Sequence, residues 1–125
     1  HLADKPESYY AQPAEVQHFF GKIPVAWDDT RFIAGYPGRY VIIARRKGKT
    51  WYIAGINGTD KGLRTNLNIK SLRLPSTPLY IESFEDNTCK KDPWKIKKGQ
   101  GRLPDQVTMI PRGGFIFIIQ PRKDL

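Results

Sequence analysis

The sequence predicts an all-β fold: an antiparallel β-sandwich with Greek-key-like connections, preceded by a short helical N-terminal segment. Three observations predict it. Short β-branched and aromatic runs recur from Arg39 onward, Gly and Pro punctuate them, and a single stretch near the N-terminus has helical spacing. Hydrophobic residues form 39% of the 125, which is enough for one domain to bury a core without disulfides or metals. The lone cysteine, Cys89, excludes a disulfide framework and a cysteine zinc site within the chain. No apolar run approaches the roughly 20 residues of a membrane helix, so no membrane partner is expected.

In chain order, Pro6 and Pro13 bracket a polar, tyrosine-bearing stretch, and Ala14 to Phe20 follows as a short helix. Pro13 suits its first turn and Gly21 its end. Val16, Phe19 and Phe20 fall at i, i+3 and i+4 and share a face. So short a helix is unstable alone and needs something to pack against, and a domain outside these residues is the expected partner. Residues 1–22 and 23–125 thus read as two units: a helical segment and a β domain.

Tyr40 to Ala44, the turn Lys47-Gly48-Lys49 and Trp51 to Ala54 make a hairpin. Asn57-Gly58 begins a second turn. Leu63, Thr65, Leu67 and Ile69 alternate with Arg64, Asn66, Asn68 and Lys70, the pattern of a strand with one buried and one wet face. Leu79 to Phe84 and Val107 to Ile110 are further strands, and Pro111 to Gly114 turns into Phe115 to Ile119. That last strand is apolar on both faces and is expected at the centre of a sheet.

The net charge is +9. Up to Gly38 there are three cations against five acids, which leaves 18 cations and seven acids beyond it. The excess concentrates in Lys90 to Arg102, where six cations surround Trp94, and the stretch reads as an exposed, mobile loop. Trp94, Lys95, Lys97 and Lys98 are its candidate sugar or polyanion contacts, since an aromatic ring stacks on sugars and bases and lysines attract phosphate.

Catalytic chemistry is absent from the pattern. His1 and His18 have no partners at ligand spacing, so no metal site is expected. Asp28 and Asp29 are adjacent, and in an extended chain they point apart, so they cannot flank a bond as acid and base. A turn role, with an aspartate accepting backbone N–H groups, is the favoured reading. Asn57-Gly58-Thr59 matches a glycosylation acceptor, but a tight turn is the simpler reading.

Ile23-Pro24-Val25-Ala26-Trp27-Asp28-Asp29-Thr30-Arg31 resembles the Pro-Thr-x-Trp-Asp-Glu-Thr-Arg junction of glycoside hydrolase family 97. Gly35 to Val41, Ile43 to Gly48 and Thr50 to Gly58 follow in an order similar to the start of that family's C-terminal β domain. Pro111-Arg112-Gly113-Gly114-Phe115 is similar to the turn before its last strand. Asp29 departs from the family's usual glutamate, and the lysine-rich stretch is not a feature of the resemblance. The resemblance implies a three-part α-glucosidase or α-galactosidase, typical of gut Bacteroidetes and secreted or periplasmic. Its catalytic (β/α)8 barrel lies upstream, with residues 1–22 as that barrel's tail. Catalytic carboxylates and any calcium would lie upstream too, so neither a catalytic residue nor a cofactor is assigned to this chain.

The leading expectation is a non-catalytic accessory domain that packs on the barrel of its own polypeptide and aids homo-oligomerisation. Trp27, Asp28, Thr30 and Arg31 would supply the inter-domain contact. It requires an exposed apolar patch near residues 16–36. A carbohydrate-binding module that holds an oligosaccharide on exposed aromatics ranks second, and a nucleic-acid binder third.

Overall fold

The structure, a computed structural model, describes residues 7–10, 13–76, 78–86 and 94–121, with backbone alone at 7–10, 13, 15, 16 and 94. Nine strands and one helix are described: β1 (Glu7–Tyr10), α1 (Pro13–Gly21), β2 (Asp29–Tyr36), β3 (Tyr40–Lys47), β4 (Thr50–Asn57), β5 (Leu63–Asn66), β6 (Leu79–Asp86), β7 (Trp94–Gly101), β8 (Gln106–Met109) and β9 (Gly114–Gln120). Seven form one antiparallel sheet in the order β1-β7-β6-β9-β4-β3-β2. β5 and β8 form a two-stranded ribbon. The chain leaves β4 and returns as β9 between β4 and β6, the non-sequential insertion of a Greek-key-like connection. β9 is therefore central, as its two apolar faces require.

The ribbon lies over one face of the sheet. Leu67, Leu72, Val107 and Met109 form a core there with Ile42, Ala44, Ile53, Phe115, Phe117 and Ile119. This is the inner space of a lopsided sandwich, and the all-β expectation holds. Of the alternating run, only Leu63–Asn66 is hydrogen-bonded strand. Its polarity continues nonetheless, with Leu67 buried and Asn68 exposed before a 3-10 turn at Lys70–Leu72.

Helix α1 lies on the opposite face, hereafter the helix face. Phe19 is 1% exposed and packs with Phe84, Ile96 and Ile118. Its ring lies 5.3 Å from that of Phe84. Lys22, just past the helix, donates to Glu82 Oε2 at 2.6 Å. The described part of the N-terminal segment thus rests on the sheet of this domain, which supplies the surface the short helix needs.

Three strands lie outside the sequence reading: β1, β2 and β7. The last is a correction. Trp94–Gly101, read as an exposed loop, is an interior strand paired to β6 on one side and β1 on the other. Among its described side chains only Ile96 is deeply buried, and the strand is held by its backbone pairing on both sides. Cys89 and residues 87–93 lie outside the described residues.

Candidate functional site

The junction 22–31 runs across the helix face onto the edge strand β2. Trp27 is half-buried: its ring meets Tyr52 edge-on at 5.1 Å, with the Arg45 guanidinium 5.7 Å from its centroid. Asp28 is tied to the β3–β4 turn. Its backbone N–H donates to Arg46 O at 2.7 Å, and its Oδ2 accepts Gly48 N–H at 2.8 Å. Gly48, at φ +60°, supplies the left-handed turn that aims this N–H. The same bond, against a small desolvation and with help from Lys47 and Arg46, holds the Asp28 carboxyl below its ordinary range.

Asp29 points elsewhere. It accepts Thr30 N–H at 2.8 Å and Arg31 Nε at 3.0 Å, while Arg31 Nη1 reaches Ser71 O at 3.5 Å. The two aspartates diverge as adjacent extended residues must, and both bind backbone N–H groups, as a turn role requires. Of the four contact candidates, Trp27 and Asp28 clamp the junction to the β3–β4 hairpin, and Thr30 and Arg31 are exposed on the edge.

Beside this junction the helix face is uncovered. Register places Phe32, Val41, Ile43, Ala54 and Ile56 on it. Phe32 is 69% exposed and Ile56 62%. With Tyr36, Pro37 and Arg39 they line an apolar groove of about 420 Å³. Gly35 allows it: a Cβ there would sit 3.2 Å from the Phe32 ring and 2.9 Å from Tyr40 O. Arg39 lies 5.5 Å from the centroid of the Tyr36 ring. The large exposed hydrophobics among the described residues are Phe20, Val25, Phe32, Tyr36 and Ile56. Four of the five fall near the 16–36 window; Ile56 joins them through the β3–β4 pairing, which the sequence does not display.

Among the described residues the basic cluster does not form one patch. In β7, Lys95 and Lys97 face Glu85 and Ser83 across the ladder, while Lys98 alternates to the helix face opposite Glu82. The side chain of Trp94 lies outside the described residues. A nucleic-acid surface would want one continuous basic stripe, and the strand divides these lysines between two faces.

Asn57 is a structural residue that the sequence reading treated only as part of a turn. It is fully buried. Its Nδ2 donates to Lys61 O at 2.7 Å and Ile110 O at 3.1 Å, and its Oδ1 accepts Thr59 N–H at 2.9 Å and Thr59 Oγ1 at 2.7 Å. An amide so engaged is no glycosylation acceptor in the folded chain; it pins the end of β4 to the turn before β9. Among the described residues no three His, Cys, Asp or Glu side chains converge as a metal site, and His18 is exposed on α1.

A β-sandwich module with an open apolar sheet face is thus defined, and comparison with known proteins places it. The family profile described as "Glycosyl-hydrolase 97 C-terminal, oligomerisation" matches residues 26–120. The chain belongs to that family, and what it matches is the C-terminal, non-catalytic domain. A retaining α-galactosidase of Bacteroides thetaiotaomicron is 32% identical over 127 residues, 95% of this chain and 18% of that protein. A probable retaining α-galactosidase of Streptomyces bingchenggensis is 46% identical over 119 residues, 94% of this chain and 18% of that protein. The chain therefore spans about a fifth of the length of these relatives. A β-arabinopyranosidase structure superimposes with a TM-score of 0.68 at 32% identity, over 85% of this chain and 16% of its own. A family 97 enzyme from Pseudoalteromonas sp. strain K8, in complex with acarbose, gives 0.68 at 19% identity over 86% and 18%, a likeness of fold.

Proposed function

We propose that this chain is the accessory domain of a larger retaining glycosidase, that it docks on the catalytic domain of its own polypeptide, and that it aids oligomerisation. The observation that carries the reading is the uncovered apolar half of the helix face, with Phe32 and Ile56 mostly exposed. Contiguous apolar surface of this kind on a soluble domain marks an interface. Two further points support it. The family's description names oligomerisation, and the relatives carry most of their length outside the matched part. Trp27, Asp28 and Thr30 border the face and would form its hinge and rim, with Arg31 on the same edge strand but turned toward Ser71 on the ribbon side. An α-galactosidase parent fits the names of the two relatives, and a secreted or periplasmic location goes with that class of enzyme.

The test compares the isolated chain with the whole enzyme. Phe32→Asp combined with Ile56→Asp should leave the melting of the isolated chain unchanged. In the whole enzyme the same pair should lower the melting temperature and shift the oligomer distribution toward smaller species by sedimentation. Wild-type melting and assembly in the doubly substituted enzyme would sink the proposal.

A further inference from the structure

The other face of the sheet is also half uncovered, and there the exposed half is polar. The ribbon covers β3, β4 and β9. Beyond it, β6 and β7 floor a cleft of about 390 Å³, walled at one end by Arg102, Leu103 and Pro104. That size lies within the roughly 300–1,000 Å³ of small-molecule sites. Register sets out its floor in rows: Leu79 beside Gly101, Ile81 beside Gly99, Ser83 beside Lys97. Phe117 of β9 lies opposite Ser83 and closes the third side.

Gly101 is informative. It is the last residue of β7, so the question is why a glycine stands there at all. At Gly38 and Gly48 a positive φ explains it, and at Gly55 and Gly114 crowding does. Gly101 has neither: its φ is not positive, and a Cβ there would meet no atom within 4 Å. Nothing local therefore requires glycine at this strand end, and a side chain there would stand in open space. What its missing side chain leaves open is this cleft.

The lining narrows the ligand. Glu85 repels an anion, and Lys97 with Arg102 repels a cation. Among the described residues none of the three is engaged in an ion pair or a side-chain hydrogen bond. Donors and acceptors therefore face the cleft together, above an apolar floor of Ile81 and Phe117. A neutral ring with hydroxyls on its rim and C–H groups on its face matches both. We propose that the cleft binds a neutral pyranose, as the end of an oligosaccharide. This goes beyond the docking reading and shares no residue with it. Exposed aromatics take no part, so it differs from the stacking platform the sequence suggested around Trp94.

The test is an amide-resolved NMR titration of the 125-residue chain with maltose, with melibiose and with inorganic phosphate. Shallow polar clefts bind weakly, so saturable shifts at Ser83, Gly99, Gly101 and Arg102 are expected with a Kd of about 1 mM for at least one sugar. Gly101→Leu, which fills the cleft from an uncrowded position, should abolish them while the melting curve stays that of the wild type. Glu85→Gln with Lys97→Gln should weaken binding about tenfold, and this pair decides the matter if Gly101→Leu does not fold. The proposal is overturned if neither sugar gives saturable shifts up to roughly 50 mM, if phosphate alone produces them, or if a folded Gly101→Leu chain binds as before.

Discussion

The two faces of the seven-stranded sheet are each half covered, and on opposite halves. The ribbon shields β3, β4 and β9 on one side; α1 shields β6, β7 and β9 on the other. The uncovered halves differ in chemistry. On the helix face it is Phe32, Val41, Ala54 and Ile56; on the ribbon face it is Glu85, Lys95 and Lys97. Both are left bare by the described residues, but only one is composed for water. A protein surface carries scattered apolar atoms without consequence, whereas a contiguous apolar half-sheet is completed by something else. Coverage within the chain therefore says little about function here, and the composition of what is left uncovered says more.

The largest test of this contrast sets two phenylalanines on the helix face against each other. Phe19 lies under the covered half and Phe32 on the open half. Phe19→Ala removes a ring that is 1% exposed, and should cost the isolated chain about 3 kcal/mol, the low end for buried aromatics because a nine-residue helix can readjust. Phe32→Ala should cost less than about 0.5 kcal/mol. Urea unfolding of both variants measures the difference. Equal losses would mean that the open half is already a packed surface, and the contrast would fail.

Next in size is Asn57→Ala. It would strip partners from Ile110 O, Lys61 O and Thr59, leaving buried polar groups at a cost of about 2 kcal/mol. Because Asn57 holds the end of β4 against the turn into β9, the loss should appear in hydrogen exchange at both ends of that ladder. A purely local loosening at residues 58–61 would show that the central pairing does not depend on it.

Much of this fold is legible in the sequence, for a physical reason. β3, β4, β6, β8 and β9 border the core, so burial is written into them as alternation or as an apolar run. β9 could be placed centrally because its odd positions meet one core and Ile118 the other. β7 was not legible. Its Lys95 and Lys97 point to the bare half of the ribbon face, where no layer demands apolar residues, so a true strand reads as a charged loop. β2 was hidden by its edge position and by the register shift between Phe32 and Ala34, which breaks any period of two. The open apolar face was half legible: its window followed from the short helix, but Ile56 entered only through strand pairing. The polar cleft was not legible, because it depends on which residues β6 and β7 bring together.

The smallest effect sharpens the border between the junction and the open apolar half. Asp28 Oδ2 accepts Gly48 N–H, with Arg46 and Lys47 nearby at 4.0 and 3.9 Å. Its carboxyl therefore titrates below the ordinary aspartate range in the folded chain. The sign follows directly. A depressed folded value means that the stabilising contribution is fully present above the unfolded value, near pH 4, and is lost as pH falls through the lower folded value. Asp28→Asn keeps an acceptor for Gly48 N–H but removes the charge. Near neutral pH it should be slightly less stable than the wild type, and the gap should close on acidification below about pH 4. Thermal melts of the two chains between pH 2 and 7 measure it, on the scale of about one such screened surface charge. If the gap stays constant across that range, the contribution of Asp28 is the hydrogen bond alone. The junction would then be held to the β3–β4 turn by geometry, and its charges would be free for whatever docks on the apolar half beside it.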